Sequence, residues 1–358
     1  MKADLPARAA PLRGPSPGAG PGSADARTDA ALVVVEDLAR EFDVSRPLLE
    51  RLLSGAGRRV VKAVDGVSFT VARGTTLALV GESGCGKSTV ARVMAGLYRP
   101  SRGRVLFDGQ DVHSHTDARA AARLRPRIQM IFQDPYASLN PRWRVEDIVG
   151  EPIRLQSPGT ASAERRERVE AVLHSVGLAA TDRLKFPHQF SGGQRQRLSI
   201  ARALAGELEF LVCDEPTSAL DVSVQAQILN ILKGLQEERG LSYLFISHNL
   251  AAVRYISDTI GVMYLGRLVE VAPKRALFAA PLHPYTQLLL DAVPALRGPA
   301  RPRSAPAGEL PDPLDPPSGC AFHPRCALAT DRCRTEAPVL RVFGPGAVAC
   351  HAVEEGRA

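Results

Sequence analysis

Three short stretches carry residue types at spacings that can do phosphate chemistry. The first, "GESGCGKST" at residues 81–89, fits the pattern G-x-x-x-x-G-K-[ST]. Its glycines let backbone N–H groups close around phosphate oxygens, Lys87 reaches the β- and γ-phosphates, and Ser88 offers its hydroxyl to Mg2+. The candidate contacts in this loop are Gly81, Ser83, Gly84, Gly86, Lys87, Ser88 and Thr89. The second, "LEFLVCDEP" at 208–216, is an apolar run that ends in two carboxylates. Asp214 suits Mg2+, directly or through water, and Glu215 suits orienting or deprotonating an attacking water. The third, "HQFSGGQRQRLSIARAL" at 188–204, sets Ser-Gly-Gly directly before a helical run, with Ser191 as the N-cap. Adjacent glycines lose much backbone entropy on folding, so they mark a place of close backbone approach. A helix start aims free N–H groups and a positive dipole end at an anion.

These stretches need elements to hold them. From residue 31 onward, β-type runs alternate with helical ones. Strands are predicted at 32–35, 60–64, 77–80, 105–107, 128–132, 209–213, 243–246 and 261–264. Helical patterns cover about 88–96, 162–176, 194–206, 222–238 and 274–280. This alternation implies an α/β fold of βαβ units around a mainly parallel sheet. The runs 77–80 and 210–213 lack polar alternation, as strands buried on both faces do. The phosphate loop follows the first of them and precedes a helix, which is the context its motif requires. Between Asp134 and Gly206 strand signals vanish, so a helical insertion is expected there. After about residue 280 the chain turns rich in Pro and Cys, and a small C-terminal module begins.

With 358 residues the chain has room for one large domain and an appendage. At 45% hydrophobic and 23% charged it has the composition of a soluble globular protein. No uncharged apolar run approaches the ~18 residues of a membrane span. Residues 1–30 hold five Pro and four Gly without an apolar segment, and read as a disordered tail rather than a signal peptide. A cytoplasmic location is therefore expected. The net charge is +7, but the basic residues are scattered and form no stripe interleaved with aromatics, so no nucleic-acid partner is expected.

The phosphate loop, "FSGGQRQR" (190–197), "FLVCDEP" (210–216), "SALD" (218–221) and "FISHNL" (245–250) occur in the order and spacing of ABC-type ATPases. The chain resembles that family over about residues 31–275. The resemblance implies a P-loop ABC nucleotide-binding domain with a RecA-like core, an antiparallel β subdomain and a helical subdomain at about 134–206. Gln133, in "MIFQDPYASLNPR", matches the family's Q-loop glutamine, which would sense the γ-phosphate, Mg2+ and water. His248 matches the switch histidine at the γ-phosphate. Glu215, His248 and Gln133 are then the catalytic set, and Ser88, Gln133 and Asp214 the Mg2+ set. Phe42 stands where the family often stacks an aromatic on adenine, although a core role is equally open to it. Ser191, Gly192, Gly193 and Gln194 are implied to bind the γ-phosphate of a nucleotide held by another subunit, and Asp221 to contact that subunit. ATP would join the two subunits, and hydrolysis would release them.

"HPYTQLLLDAVP" (283–294) and "LPDPLDPPSGCAFHPRC" (310–326) are similar to the extension of oligopeptide/dipeptide importer ATPases, which implies an extension of that type at 276–358. Tyr136 and the insertion between Phe42 and Val61 resemble the F-type subunit. The resemblance implies ATP-driven import of di- and oligopeptides by a peripheral subunit at the cytoplasmic face of the inner membrane. Its implied partners are a second ABC ATPase in a heterodimer, two transmembrane permeases and an extracytoplasmic substrate-binding protein. The surface near Gln133 and Tyr136 would receive a permease helix. Related importers carry nickel or other small solutes, so that alternative stays open. A non-transport ABC ATPase fits less well, because long heptad repeats and a second set of motifs are missing. Cys85 and Cys213 fall inside the nucleotide motifs and suit packing. Cys320, Cys326, Cys333 and Cys350 are spaced x5, x6 and x16, unlike the usual first step of a zinc site. An iron–sulfur cluster, zinc and free thiols are all open for them. The resemblance implies a [4Fe–4S] cluster in some family members.

Overall fold

A computed structural model describes residues 31–45, 59–114, 119, 123–218, 220–291 and 311–358. The tail expected at 1–30 and most of the insertion between Phe42 and Val61 lie outside these residues. The strands are β1 (Ala31–Asp43), β2 (Val60–Ala72), β3 (Thr76–Val80), β4 (Arg102–Phe107), β5 (Gln110–Asp111), β6 (Ile128–Ile131), β7 (Phe210–Asp214), β8 (Ser242–Ile246), β9 (Thr259–Tyr264), β10 (Arg267–Pro273), β11 (Arg341–Phe343) and β12 (Gly346–Val348). The helices are α1 (Lys87–Met94), α2 (Pro135–Ser138), α3 (Val145–Gln156), α4 (Ser162–Ser175), α5 (Gly192–Leu204), α6 (Val222–Arg239), α7 (Leu250–Ile256), α8 (Lys274–Ala279), α9 (Pro284–Asp291), α10 (Asp331–Thr335) and α11 (His351–Glu354). Each strand and helix anticipated from the residue pattern is present.

An eight-stranded sheet runs β11-β12-β10-β9-β3-β8-β7-β6. Its β9, β3, β8, β7 and β6 are parallel, and β10, β12 and β11 join antiparallel. A second, antiparallel sheet runs β2-β1-β4-β5. All five residues of β3 are buried, and its side chains alternate between two cores. Leu77 and Leu79 pack with Val35, Phe69 and Val90, on the side of the antiparallel sheet and α1. Ala78 and Val80 belong with Val149, Leu198 and Ile228, on the side of the helices. Period-two alternation in a strand with no polar face thus fills both layers.

The helical insertion is α2 to α5, between β6 and β7, built on Val145, Ile148, Val169, Leu173 and Leu198. The residues after 280 are not a detached appendage. β12 pairs with β10 through Glu270–Val348 and Val271–Ala347, so the extension continues the central sheet.

Candidate functional site

The phosphate loop is a tight turn between the end of β3 and the start of α1. Gly86, at φ 105, is the N-cap of α1, and a Cβ there would sit 2.2 Å from the Ala63 carbonyl oxygen, so only glycine fits. Lys87 is buried, and its Nζ donates to the carbonyl oxygens of Gly81 at 2.9 Å and Glu82 at 2.8 Å. The next side chain, Ser88 Oγ, donates to Asp214 Oδ1 at 2.8 Å. Asp214 closes β7 and is itself buried. Burial pushes its carboxyl above the usual carboxylate range, while the Ser88 hydrogen bond works the other way. A hydroxyl and a buried carboxylate in contact are hard oxygen donors of the kind Mg2+ takes, and a cation there would offset the burial of the carboxylate. The residues therefore fit the ion.

Three parallel strands deliver the rest. Gln133 follows the end of β6 by two residues, Glu215 the end of β7 by one, and His248 the end of β8 by two. All three meet at one oxygen: Gln133 Nε2 donates to Glu215 Oε2 at 3.1 Å, and His248 Nδ1 lies 3.3 Å from the same atom. The carboxyl ends of parallel strands are where ligands bind in open α/β sheets. Glu215 has φ 48, a left-handed conformation that costs a non-glycine residue energy. It is held by its N–H donating to the Ile246 carbonyl and by Ser218 donating to its own carbonyl.

Helix α5 starts at Gly192, two residues before the predicted start. Ser191 Oγ accepts from Gln194 N at 3.3 Å while Gln194 Oε1 accepts from Ser191 N at 3.0 Å, a reciprocal capping box. The two glycines differ in what surrounds them. A Cβ on Gly193 would lie 2.4 Å from Val224 Cγ1 on α6, whereas one on Gly192 would meet only Leu220 Cδ2, at 3.7 Å. Close approach at Gly193 is thus to the chain's own α6, and Gly192 is the glycine left open. Val224 is β-branched and stiff in a helix, so it cannot turn aside. Overpacking costs about 1–3 kcal/mol, and replacing glycine by alanine in a helix returns at most about 1. Gly193→Ala is expected to lower stability in denaturant unfolding, and Gly192→Ala to leave it equal or slightly raised. Equal midpoints for the two variants would contradict this packing argument. Asp221, exposed, caps α6 by accepting from Val224 N at 2.9 Å.

Phe42 faces Val61 across the β1–β2 ladder, with the Arg40 guanidinium 4.6 Å over its ring and Tyr98 edge-on at 5.6 Å. Tyr136, on α2, is half exposed and is covered by the Arg195 guanidinium at 4.1 Å, and Trp143 is exposed nearby in sequence. Cys85 and Cys213 are buried within the cores. Cys320, Cys326, Cys333 and Cys350 form no disulfide. Burial pushes the Cys320 thiol up to about 11 and also raises Cys326 and Cys350, with the neighbouring thiols adding to the effect. Among the described residues, no three His, Cys, Asp or Glu side chains are arranged to hold a metal ion. Two side chains to which the sequence assigned no role at the site also reach the phosphate loop. Tyr285 and Arg325, both from the extension, contact Glu82. The shared local signal is a repeated dipeptide, His-Pro at 283–284 and at 323–324, each directly before one of these residues.

Two family models match the chain: ABC transporter over residues 64–218, and oligopeptide/dipeptide transporter, C-terminal region, over residues 269–333. The chain is 47% identical over 325 residues to the di/tripeptide transport ATP-binding protein DppF of Pseudomonas aeruginosa, covering 90% of this chain and 98% of that one. It is 48% identical over 324 residues to the oligopeptide transport ATP-binding protein AppF of Bacillus subtilis, covering 89% and 97%. Among solved structures, the ATP-binding cassette MJ0796, a dimer in a post-hydrolysis state bound to ADP and Pi, superposes with a TM-score of 0.59 at 26% identity. It covers 68% of this chain and 99% of its own.

Proposed function

This chain belongs to the ATP-binding subunits of ABC oligopeptide/dipeptide importers, and from that membership we propose that it binds and hydrolyses ATP with Mg2+ to power import of di- and oligopeptides. The observation that carries the chemical reading is the meeting of Gln133 and His248 on Glu215 Oε2, beside the Ser88–Asp214 pair.

In this reading the loop N–H groups between Gly81 and Thr89, other than that of Glu82, hold the triphosphate together with Lys87. Ser88 and Asp214, with Gln133, would hold Mg2+, which would supply positive charge to offset that developing on the phosphates. Glu215 takes a proton from the attacking water, Gln133 aligns that water, and His248 holds the γ-phosphate end of the site. The capped and exposed start of α5 supports a role for Ser191, Gly192, Gly193 and Gln194 on the nucleotide of a second ATPase subunit, with Asp221 at the same interface. The dimer of the related cassette MJ0796 agrees with that pairing. Phe42 is the proposed adenine platform.

Two permeases and an extracytoplasmic substrate-binding protein complete the proposed machine, with this subunit at the cytoplasmic face of the membrane. No helix among the described residues is long and apolar enough to cross a membrane. The exposed Tyr136 and Trp143 support a landing surface there for a permease helix. The proposed division is a cassette at 31–275, its helical part at about 134–206, and an extension at 276–358. For a [4Fe–4S] cluster the extension offers four neighbouring cysteines without an arranged ligand set among the described residues.

Uptake of a labelled di- or tripeptide by cells deleted for this chain tests the reading. Uptake is expected to return with the wild-type chain and not with Lys87→Ala. Peptide uptake that is indifferent to the deletion, while the purified chain still hydrolyses ATP, would overturn peptide import and favour nickel or another small solute.

A further inference from the structure

Glu82 is the second residue of the phosphate loop, and it is held from two directions by the extension. Its backbone N–H donates to the Tyr285 hydroxyl at 2.8 Å. Its carboxylate receives both arms of Arg325, Nη1 to Oε2 at 2.8 Å and Nη2 to Oε1 at 2.9 Å. The Arg325 side chain is only 4% exposed. Bidentate, charge-assisted pairs of this kind fix geometry as well as energy. We propose that Tyr285 and Arg325 are positioning residues for ATP binding, clamping Glu82 so that the phosphate loop is set to receive the triphosphate.

The clamp is built as a rigid unit. The rings of Tyr264, Tyr285 and Phe322 pack against one another at 4.7–5.4 Å, and Tyr264 Oη lies 3.4 Å from Arg325 Nη1. Each clamping residue comes third in a His-Pro-x tripeptide. Pro284 opens α9 and Pro324 sits in the short 3-10 turn His323–Arg325, so both backbones are preset by the proline ring. His283 is buried and neutral, its pKa pushed down to about 3, and its Nδ1 accepts from Tyr285 N at 3.0 Å. The N–H groups of Leu282 and His283 donate to the buried carboxylate of Glu270 on β10, at 3.0 and 2.9 Å. A continuous set of contacts therefore runs from the central sheet through Glu270, His283 and Tyr285 to Glu82.

Glu82 in turn governs Lys87, because its carbonyl oxygen is one of the two that accept from Nζ. A shift of Glu82 moves the ammonium that meets the phosphates. The extension also borders the loop directly. A cleft of about 330 Å³ is lined together by Gly84 of the loop, by Val61 and Lys62, and by Pro313, Pro316 and Pro317 of the extension.

The proposal rests on the loop being an ATP site, and its test separates the two ideas. The full-length chain and its Tyr285→Phe, Arg325→Gln and Glu82→Gln variants are titrated with ATP and assayed for turnover. Loss of the clamp is expected to weaken ATP binding about tenfold, roughly 1.4 kcal/mol. The rise appears in Kd and KM, with kcat changed less than about twofold. Arg325→Gln combined with Glu82→Gln is expected to add nothing to either single change, since both break one pair. A merely structural role would lower the melting temperature and the active fraction with KM unchanged, and that outcome overturns the proposal. So does unchanged affinity in all three variants while the wild type binds ATP. A wild type that binds no ATP would overturn the site reading and the clamp together. If Arg325→Gln fails to fold, Tyr285→Phe, which removes one oxygen and keeps the ring, decides the question alone.

Discussion

Glu215→Gln is expected to lower ATP turnover by about 10²- to 10⁴-fold, the usual contribution of a positioned general base, while ATP affinity stays within about twofold of wild type. The substitution is nearly isosteric. Its backbone stays in the same left-handed conformation, at a cost the Ile246 and Ser218 hydrogen bonds already meet. What changes is Oε2, where Gln133 and His248 converge and where, in the proposed mechanism, the water's proton would go. With chemistry blocked and binding intact, the ATP-bound pair of subunits should accumulate. Size-exclusion chromatography with ATP and Mg2+ would show it as an early-eluting species absent with ADP. Wild-type turnover in this variant would remove Glu215 from the mechanism.

The second large effect is expected for Gly192→Asp. Aspartate is favoured in the first turn of a helix by the dipole, and Gly192 has room for a side chain, so α5 should fold at least as well. The same negative charge would face the γ-phosphate of the opposing subunit. Turnover should fall by about 10²-fold or more, the size of losing one preorganised oxyanion donor, with ATP affinity of the single subunit unchanged. Turnover at the wild-type rate would mean that the start of α5 meets no phosphate. Gly193→Asp does not make this test, because the contact with Val224 would unfold the helix start for an unrelated reason.

The parallel core was legible because β3 and β7 are short apolar runs with no polar face, and a strand buried on both sides has no other option. The chemistry of the loop was legible for the same reason that it works. Backbone wrapping of phosphate needs glycine at fixed places, and Gly86 against Ala63 leaves no substitute. Other elements were hidden by single residues. Helix α3 carries Pro152 inside it, which reads as a break. Strand β10 contains Glu270, a charge that argues against a buried strand until Leu282 and His283 are seen to hydrogen-bond its carboxylate. Tyr285 and Arg325 could not be placed at the loop from spacing, since Arg325 lies 243 positions beyond its partner Glu82. Contacts that distant leave no periodic trace.

The last two strands have a consequence for self-association. Without them β10 would offer a bare row of N–H and C=O groups, which is a template for aggregation. The β11–β12 hairpin occupies that row and then offers only three residues of its own, beginning with Arg341. Growth by strand addition is blunted on that flank. In the proposed dimer, subunits would instead associate through helix starts and a shared nucleotide, so assembly would answer to a small molecule rather than to backbone stickiness.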